Sequence, residues 1–194
     1  MADGRPCYKK REVTLAQSQQ LSLVLGGARS GKSRFAQQLA ESRGGDVLFV
    51  ATAAPGDDDM AARIARHRAE RPAHWRTLEA QHGLALALVS APPASTVVLD
   101  CATLWVSNLL LADASWEAAA AELDALLEWY RAHSVELIVV SNEVGLGIVP
   151  GDALSRAFRE WLGWFNQRLA AEAGAVYLMV AGLAIEVKAL AVRV

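Results

Sequence analysis

A chain of 194 residues with a formal charge of −2 has length for one domain and no net basic field of the kind nucleic acid recruits. Hydrophobic residues make up 53% and charged residues 21%, which excludes a disordered body. No apolar run reaches the ~18 residues of a membrane span. The two cysteines, Cys7 and Cys101, have neither metal nor disulfide-framework spacing, so a reducing, cytoplasmic setting is expected.

Residues 1–20 carry Arg5, Lys9, Lys10 and Arg11 without an apolar segment, so they do not make a signal peptide. A flexible extension is expected there, with a single catalytic domain over 21–194. The run Leu21, Ser22, Leu23, Val24 and Leu25 predicts a buried strand. Gly26, Gly27, Ala28, Arg29, Ser30, Gly31, Lys32 and Ser33 follow it in the G-x-x-x-x-G-K-[ST] spacing of a P-loop, and a helix is predicted over 34–43. Glycines let successive N–H groups face one anion, and the helix N-terminus adds partial positive charge. Lys32 would reach the β/γ-phosphates of a nucleoside triphosphate, and the Ser33 hydroxyl would hold Mg²⁺.

A second strand is predicted over 47–51, ending near Ala51, Thr52 and Ala53. Asp57, Asp58 and Asp59 then suit a helix N-terminus, and Pro72 suits its end. Within that helix Arg63, His67 and Arg71 recur every four residues and are expected on one face. Such a charge run is usually a solvated face. The alternative is chemical: a neutral imidazole attacks the α-phosphorus of a triphosphate and carries the nucleotide as a phosphoramidate. Flanking arginines would keep it neutral and stabilise the transferring group. His74, His82 and His133 lack that setting.

Further strands are predicted over 96–99, 135–140 and 176–180, with a last short one at 185–188. Helices are predicted from 116 to 132, and from 152 to 172 with Asp152 as N-cap. Asp100 ends its strand where a metal-holding acid belongs, and it is paired with Ser33 as the expected Mg²⁺ site. Glu143, after the 135–140 strand beside Asn142, competes for that role or for a catalytic base. Alternation of strand and helix predicts an α/β fold: a mostly parallel sheet with helices on both faces and ligands at the carboxyl ends of the strands.

The ordered set resembles one family, the bifunctional adenosylcobinamide kinase / adenosylcobinamide-phosphate guanylyltransferases of cobalamin biosynthesis. The stretches that carry the resemblance are residues 26–34, 50–53, 63–68 with Arg71 and Pro72, 75–79, 99–101, 104–108, 141–145, 149–150, 166–169 and 180–183. The resemblance implies a RecA-like P-loop fold and a homotrimer. It also implies two reactions: ATP or GTP phosphorylates adenosylcobinamide, then GMP passes from GTP through a histidine to adenosylcobinamide phosphate, giving adenosylcobinamide-GDP. The family histidine falls on His67. Its nucleotide contacts fall on the 26–33 loop, on Ala51, Thr52 and Ala53, on Arg68, Ala69, Glu70 and Arg71, and on Glu79 and Asp100. Two positions depart from the family pattern: the acidic helix start has Asp59 where Glu is usual, and the 184–188 segment lacks a common proline. The competing readings are a P-loop kinase of another small-molecule alcohol without a covalent histidine, and a RecA-like ATPase, which the charge balance disfavours.

Overall fold

The computed structural model describes residues 20–54, 56 and 58–192. The expected extension, apart from Gln20, lies outside the described residues, as do Cys7, Asp57 and the Arg63 and Asp59 side chains. In chain order the elements are β1 (Leu21–Gly26), α1 (Lys32–Arg43), β2 (Val47–Ala51), α2 (Asp58–Ala69), β3 (Arg76–Glu79), α3 (Leu84–Ser90) and β4 (Thr96–Asp100). They continue as α4 (Ala102–Leu111), α5 (Trp116–Ala132), β5 (Glu136–Val140), α6 (Ala153–Glu172), β6 (Ala175–Val180), β7 (Leu183–Glu186) and α7 (Val187–Leu190).

The strands form one sheet in the order β3-β2-β4-β5-β1-β6-β7. All neighbours are parallel except β6 and β7, which form an antiparallel hairpin through Ala181 and Gly182. Buried on both faces, the central strands are apolar at most positions, with Ser22 and Thr96 as buried polar exceptions. Leu21, Leu23, Val24, Leu137, Ile138 and Val139 are accordingly buried.

The two faces are filled differently. One carries the larger core, where Trp105 of α4, Leu123, Leu126 and Leu127 of α5, and Leu162, Phe165 and Leu169 of α6 pack on the sheet. Trp105 meets Phe165 edge-on at 5.2 Å, and its indole N–H donates to Glu122 at 3.1 Å. The other face holds a smaller core of Val24, Phe49, Val98, Ile138 and Met179, against which α1 lays the buried Ala36 and Ala40 and the half-buried Phe35 and Leu39.

Three elements had no clear sequence signal. Strand β3 is an edge strand with a single aliphatic residue, Leu78; α3 and α4 are apolar over most of their length and show little helical period. The final strand is not 185–188: β7 ends at Glu186 and the chain turns helical from Val187. The helix expected to reach Pro72 stops at Ala69, since a residue before proline is steered out of the α region. Arg71 is therefore off the helix. No helix among the described residues is long and apolar enough to cross a membrane.

Candidate functional site

Strands β1, β4 and β5 deliver their carboxyl ends to one place. The loop after β1 is a tight cradle. At Gly26, with φ 152°, a Cβ would lie 2.6 Å from the Met179 carbonyl oxygen, so only glycine fits. Gly31 takes φ 95° directly before α1. The loop is tied down by the Gly182 N–H donating to the Ser30 carbonyl at 3.0 Å, which brings the β6–β7 turn against it. Helix α1 has neither a side-chain N-cap nor an acidic residue in its first turn. Its positive end is left for an external anion. Lys32 is buried, and its ammonium donates to the Gly27 carbonyl at 2.7 Å, across the mouth of the cradle.

A cavity of about 1030 Å³ opens from this cradle, a size that accommodates a nucleotide. Its wall includes Ala28, Arg29, Ser30, Gly31, Lys32 and Ser33, the β2 residues Phe49 and Ala51 with Ala53, and Asp100, Cys101 and Asn142. From α2 come Met60, Ile64 and His67, half-buried and on one helical face, together with Ala62 and Arg66. The sequence marked His67, but on a face shared with Arg63 and Arg71 rather than with Met60 and Ile64, and Phe49, in mid-strand, carried no signal.

Asp100 is the electrostatic centre of the cavity floor. Burial raises its carboxyl above the ordinary carboxylate range, while a hydrogen bond from Ser33 and the charges of His67, Arg71 and Lys32 pull it down. Ser33 and Asp100 thus meet, and their hydroxyl and carboxylate oxygens are the hard donors that Mg²⁺ prefers. The Asp100–Cys101 peptide is cis. Cys101 is no thiolate here: burial, then the Asp100 charge, push its thiol up to about 11. Glu143, the competing acid, turns back to accept from the Gly145 N–H and is absent from the cavity wall.

His67 reaches the cavity with Nδ1 3.9 Å from the Glu70 carboxylate. Of the arginines expected around it, Arg66 and Arg71 share its cavity wall, whereas Arg68 does not. Arg71 stacks 3.7 Å above the Phe49 ring and hydrogen-bonds Thr77 Oγ1 at 3.4 Å. Burial lowers its guanidinium pKa, and the Asp100 carboxylate partly restores it. Arg68 pairs with Glu79 at 3.6 Å, both mostly exposed and outside the cavity wall. Ala69 is exposed and Thr52 fully buried. The Thr52 hydroxyl donates to the Cys101 carbonyl and accepts from the Cys101 N–H, both at 2.8 Å. It shapes the turn after β4 rather than the cavity wall. Gly26 and Gly27 likewise set the loop's path rather than line the cavity. His74, His82 and His133 are exposed, and His133 stacks on Trp129.

A family model described as cobinamide kinase / cobinamide phosphate guanyltransferase matches residues 22–187. The bifunctional adenosylcobalamin biosynthesis protein CobP of Pseudomonas aeruginosa is 48% identical over 167 residues, 86% of this chain and 96% of that protein. CobU of Salmonella typhimurium, a bifunctional adenosylcobalamin biosynthesis protein, is 42% identical over 182 residues, 86% of this chain and 98% of that protein. Among solved structures, an ATPase of a type III secretion system matches with a TM-score of 0.52 at 10% identity, over 91% of this chain and 59% of that one. The flagellar accessory protein FlaH of Methanocaldococcus jannaschii matches with a TM-score of 0.50 at 11% identity, over 83% of this chain and 71% of that one. These two likenesses speak for the fold alone, a RecA-like α/β architecture. With the family model spanning most of its length and relatives at 48% and 42% identity along nearly their whole sequences, the chain belongs to the cobinamide kinase / cobinamide phosphate guanyltransferase family, a family of transferases.

Proposed function

We propose that this chain performs both transfers of its family from one cavity, with Lys32 serving the first and His67 the second. In the kinase step the aminopropanol hydroxyl of adenosylcobinamide attacks the γ-phosphorus of ATP or GTP. The bond to the departing nucleoside diphosphate breaks, and the hydroxyl proton is lost to solvent. The loop N–H groups and Lys32 hold the phosphates and offset the charge that develops on them. Ser33 and Asp100 would hold Mg²⁺, which would supply further neutralisation of the phosphate charge when bound.

In the second step a neutral His67 imidazole attacks the α-phosphorus of GTP, and pyrophosphate leaves. A phosphate oxygen of adenosylcobinamide phosphate then attacks the guanylylated histidine. The P–N bond breaks, and adenosylcobinamide-GDP departs. The observation that carries this reading is that His67 and the phosphate loop open onto the same cavity, around Asp100. Arg66, on the cavity wall, and Arg71, within electrostatic reach of Asp100, supply positive charge there.

The test is covalent labelling. Wild-type protein incubated with GTP labelled at the α-phosphate should yield an acid-labile, base-stable adduct, and His67→Ala should yield none while keeping kinase turnover. An unlabelled wild type that still phosphorylates adenosylcobinamide would remove the guanylylated histidine from the reading. Homotrimer assembly belongs to the same proposal. It is supported by Leu183, Ile185, Leu190 and Val192, exposed on and after edge strand β7, and is checked by sedimentation equilibrium.

A further inference from the structure

Asn142 follows β5, and β5 lies between β4, which ends in Asp100, and β1, which leads into the phosphate loop. Asn142 accordingly lines the cavity that the phosphate loop, Ser33 and Asp100 also line. Its backbone is fixed on every side. The Asn142 N–H donates to Thr103 Oγ1 of α4 at 2.8 Å, and its carbonyl accepts from Asn166 Nδ2 of α6 at 3.0 Å. Asn166 is itself buried and accepts from the Ser141 hydroxyl at 2.6 Å. On either side in sequence, the Ser141 N–H donates to the Val24 carbonyl at 2.9 Å and the Glu143 N–H to the Gly26 carbonyl at 3.2 Å.

Two helices and strand β1 thus lock the main chain of one residue. The side-chain amide of that residue, half-buried on the cavity wall, makes no hydrogen bond among the described residues. A buried network of this kind is costly to build and is satisfied throughout, save for the one group that faces the cavity. A neutral amide between a cationic loop and a metal-holding acid suits a phosphoryl oxygen, which accepts hydrogen bonds only.

We propose that Asn142 is a catalytic residue of the kinase half-reaction, its Nδ2 donating to a γ-phosphoryl oxygen as the γ-phosphoryl group passes to the substrate hydroxyl. The inference rests on the kinase reading given above. The main chain that carries the donor is fixed before the substrate arrives, so only the side-chain torsions are left to set. The second half-reaction breaks the bond between the α- and β-phosphates. There a contact at the γ-phosphoryl group is the same in ground and transition states, and it affects KM rather than kcat.

The experiment measures kinase turnover with adenosylcobinamide and ATP, and guanylylation by GTP labelled at the α-phosphate, in wild type, Asn142→Ala and Asn142→Asp. Asn142→Ala should lower the kinase kcat by about 10²-fold and leave the guanylylation kcat within about threefold, with any loss there confined to the KM for GTP. Asn142→Asp keeps the side-chain size and every backbone bond but replaces the donor with a carboxylate. Its kinase kcat should fall below that of Asn142→Ala. A kinase kcat within about threefold of wild type in Asn142→Ala overturns the assignment, as does Asn142→Asp matching or exceeding Asn142→Ala, or a parallel kcat loss in both half-reactions. A wild type without kinase turnover would overturn the kinase reading itself, and this assignment with it.

Discussion

Helices α1 and α2 each follow a strand of the same sheet, and each carries a residue assigned to phosphoryl chemistry, but they are held in different ways. Helix α1 presses Ala36 and Ala40 onto the sheet with no exposure, and its first residue, Lys32, is buried. Small side chains let its backbone come close, so the cradle is rigid because it is packed. Among the described side chains of α2, none enters either core. Met60, Ile64 and His67 are half-buried and face the cavity, and the rest are exposed. The proposed phosphate loop thus leads into a helix packed on the core, while the proposed nucleotide carrier sits on an element that the core barely restrains. Elements with few buried contacts lie at the low end of local stability.

Substitutions on the two helices can break or sharpen this contrast. The largest effect is expected at Lys32. Lys32→Ala should lower adenosylcobinamide phosphorylation by about 10²–10³-fold, as measured by steady-state turnover, because it removes a preorganised charge from the phosphates. Near-normal turnover would break the link between the packed helix and the chemistry. Next come paired stability measurements by urea unfolding. Ala36→Leu should cost about 1–3 kcal/mol through overpacking. Ala65→Leu, on the exposed side of α2, should stay within about 0.5 kcal/mol. Equal losses would show that α2 is as firmly seated as α1.

The smallest effect contrasts helix starts. Helix α6 is capped by Asp152, which accepts from the Ser155 N–H at 2.8 Å, whereas α1 has no side-chain cap. That backbone bond, with a further one from the Ser155 hydroxyl, holds the Asp152 carboxyl below the usual aspartate range. A group whose pKa is lowered by folding contributes stability that is present above its unfolded value and lost as pH falls through its folded value. Asp152→Ala should therefore lower Tm at neutral pH and match wild type once the pH is below both values. A Tm difference unchanged down to that acid limit would deny Asp152 its charged capping role.

Much of the site was legible residue by residue. The strand, the glycine spacing and Lys32 marked the loop, Asp100 was marked as the acid beside it, and the structure brings both onto one cavity. Arg71 reaches the expected cavity by another route. The every-four spacing ran through Pro72's steric boundary, so the residue lies past the end of α2 and lines the cavity from above Phe49. Thr52 and Asn142 were visible as residues just after strands, but nothing local says that the Thr52 hydroxyl bonds Cys101 while Asn142 lines the cavity. Strand β3 was invisible because an edge strand needs little apolar character.

The sequence by itself determined the loop proposed to hold the phosphates, since a P-loop is local: glycine spacing sets the backbone and the next helix supplies the dipole. It also placed a histidine on a cationic helix and marked the buried strands. Only the tertiary structure decided that His67, Asp100 and Asn142 share one cavity with Lys32. These residues are far apart along the chain, and it is the sheet order β4-β5-β1, with α2 laid over the carboxyl ends, that brings them together. Strand order is set by burial of both sheet faces across the whole domain, and no short stretch of residues encodes it.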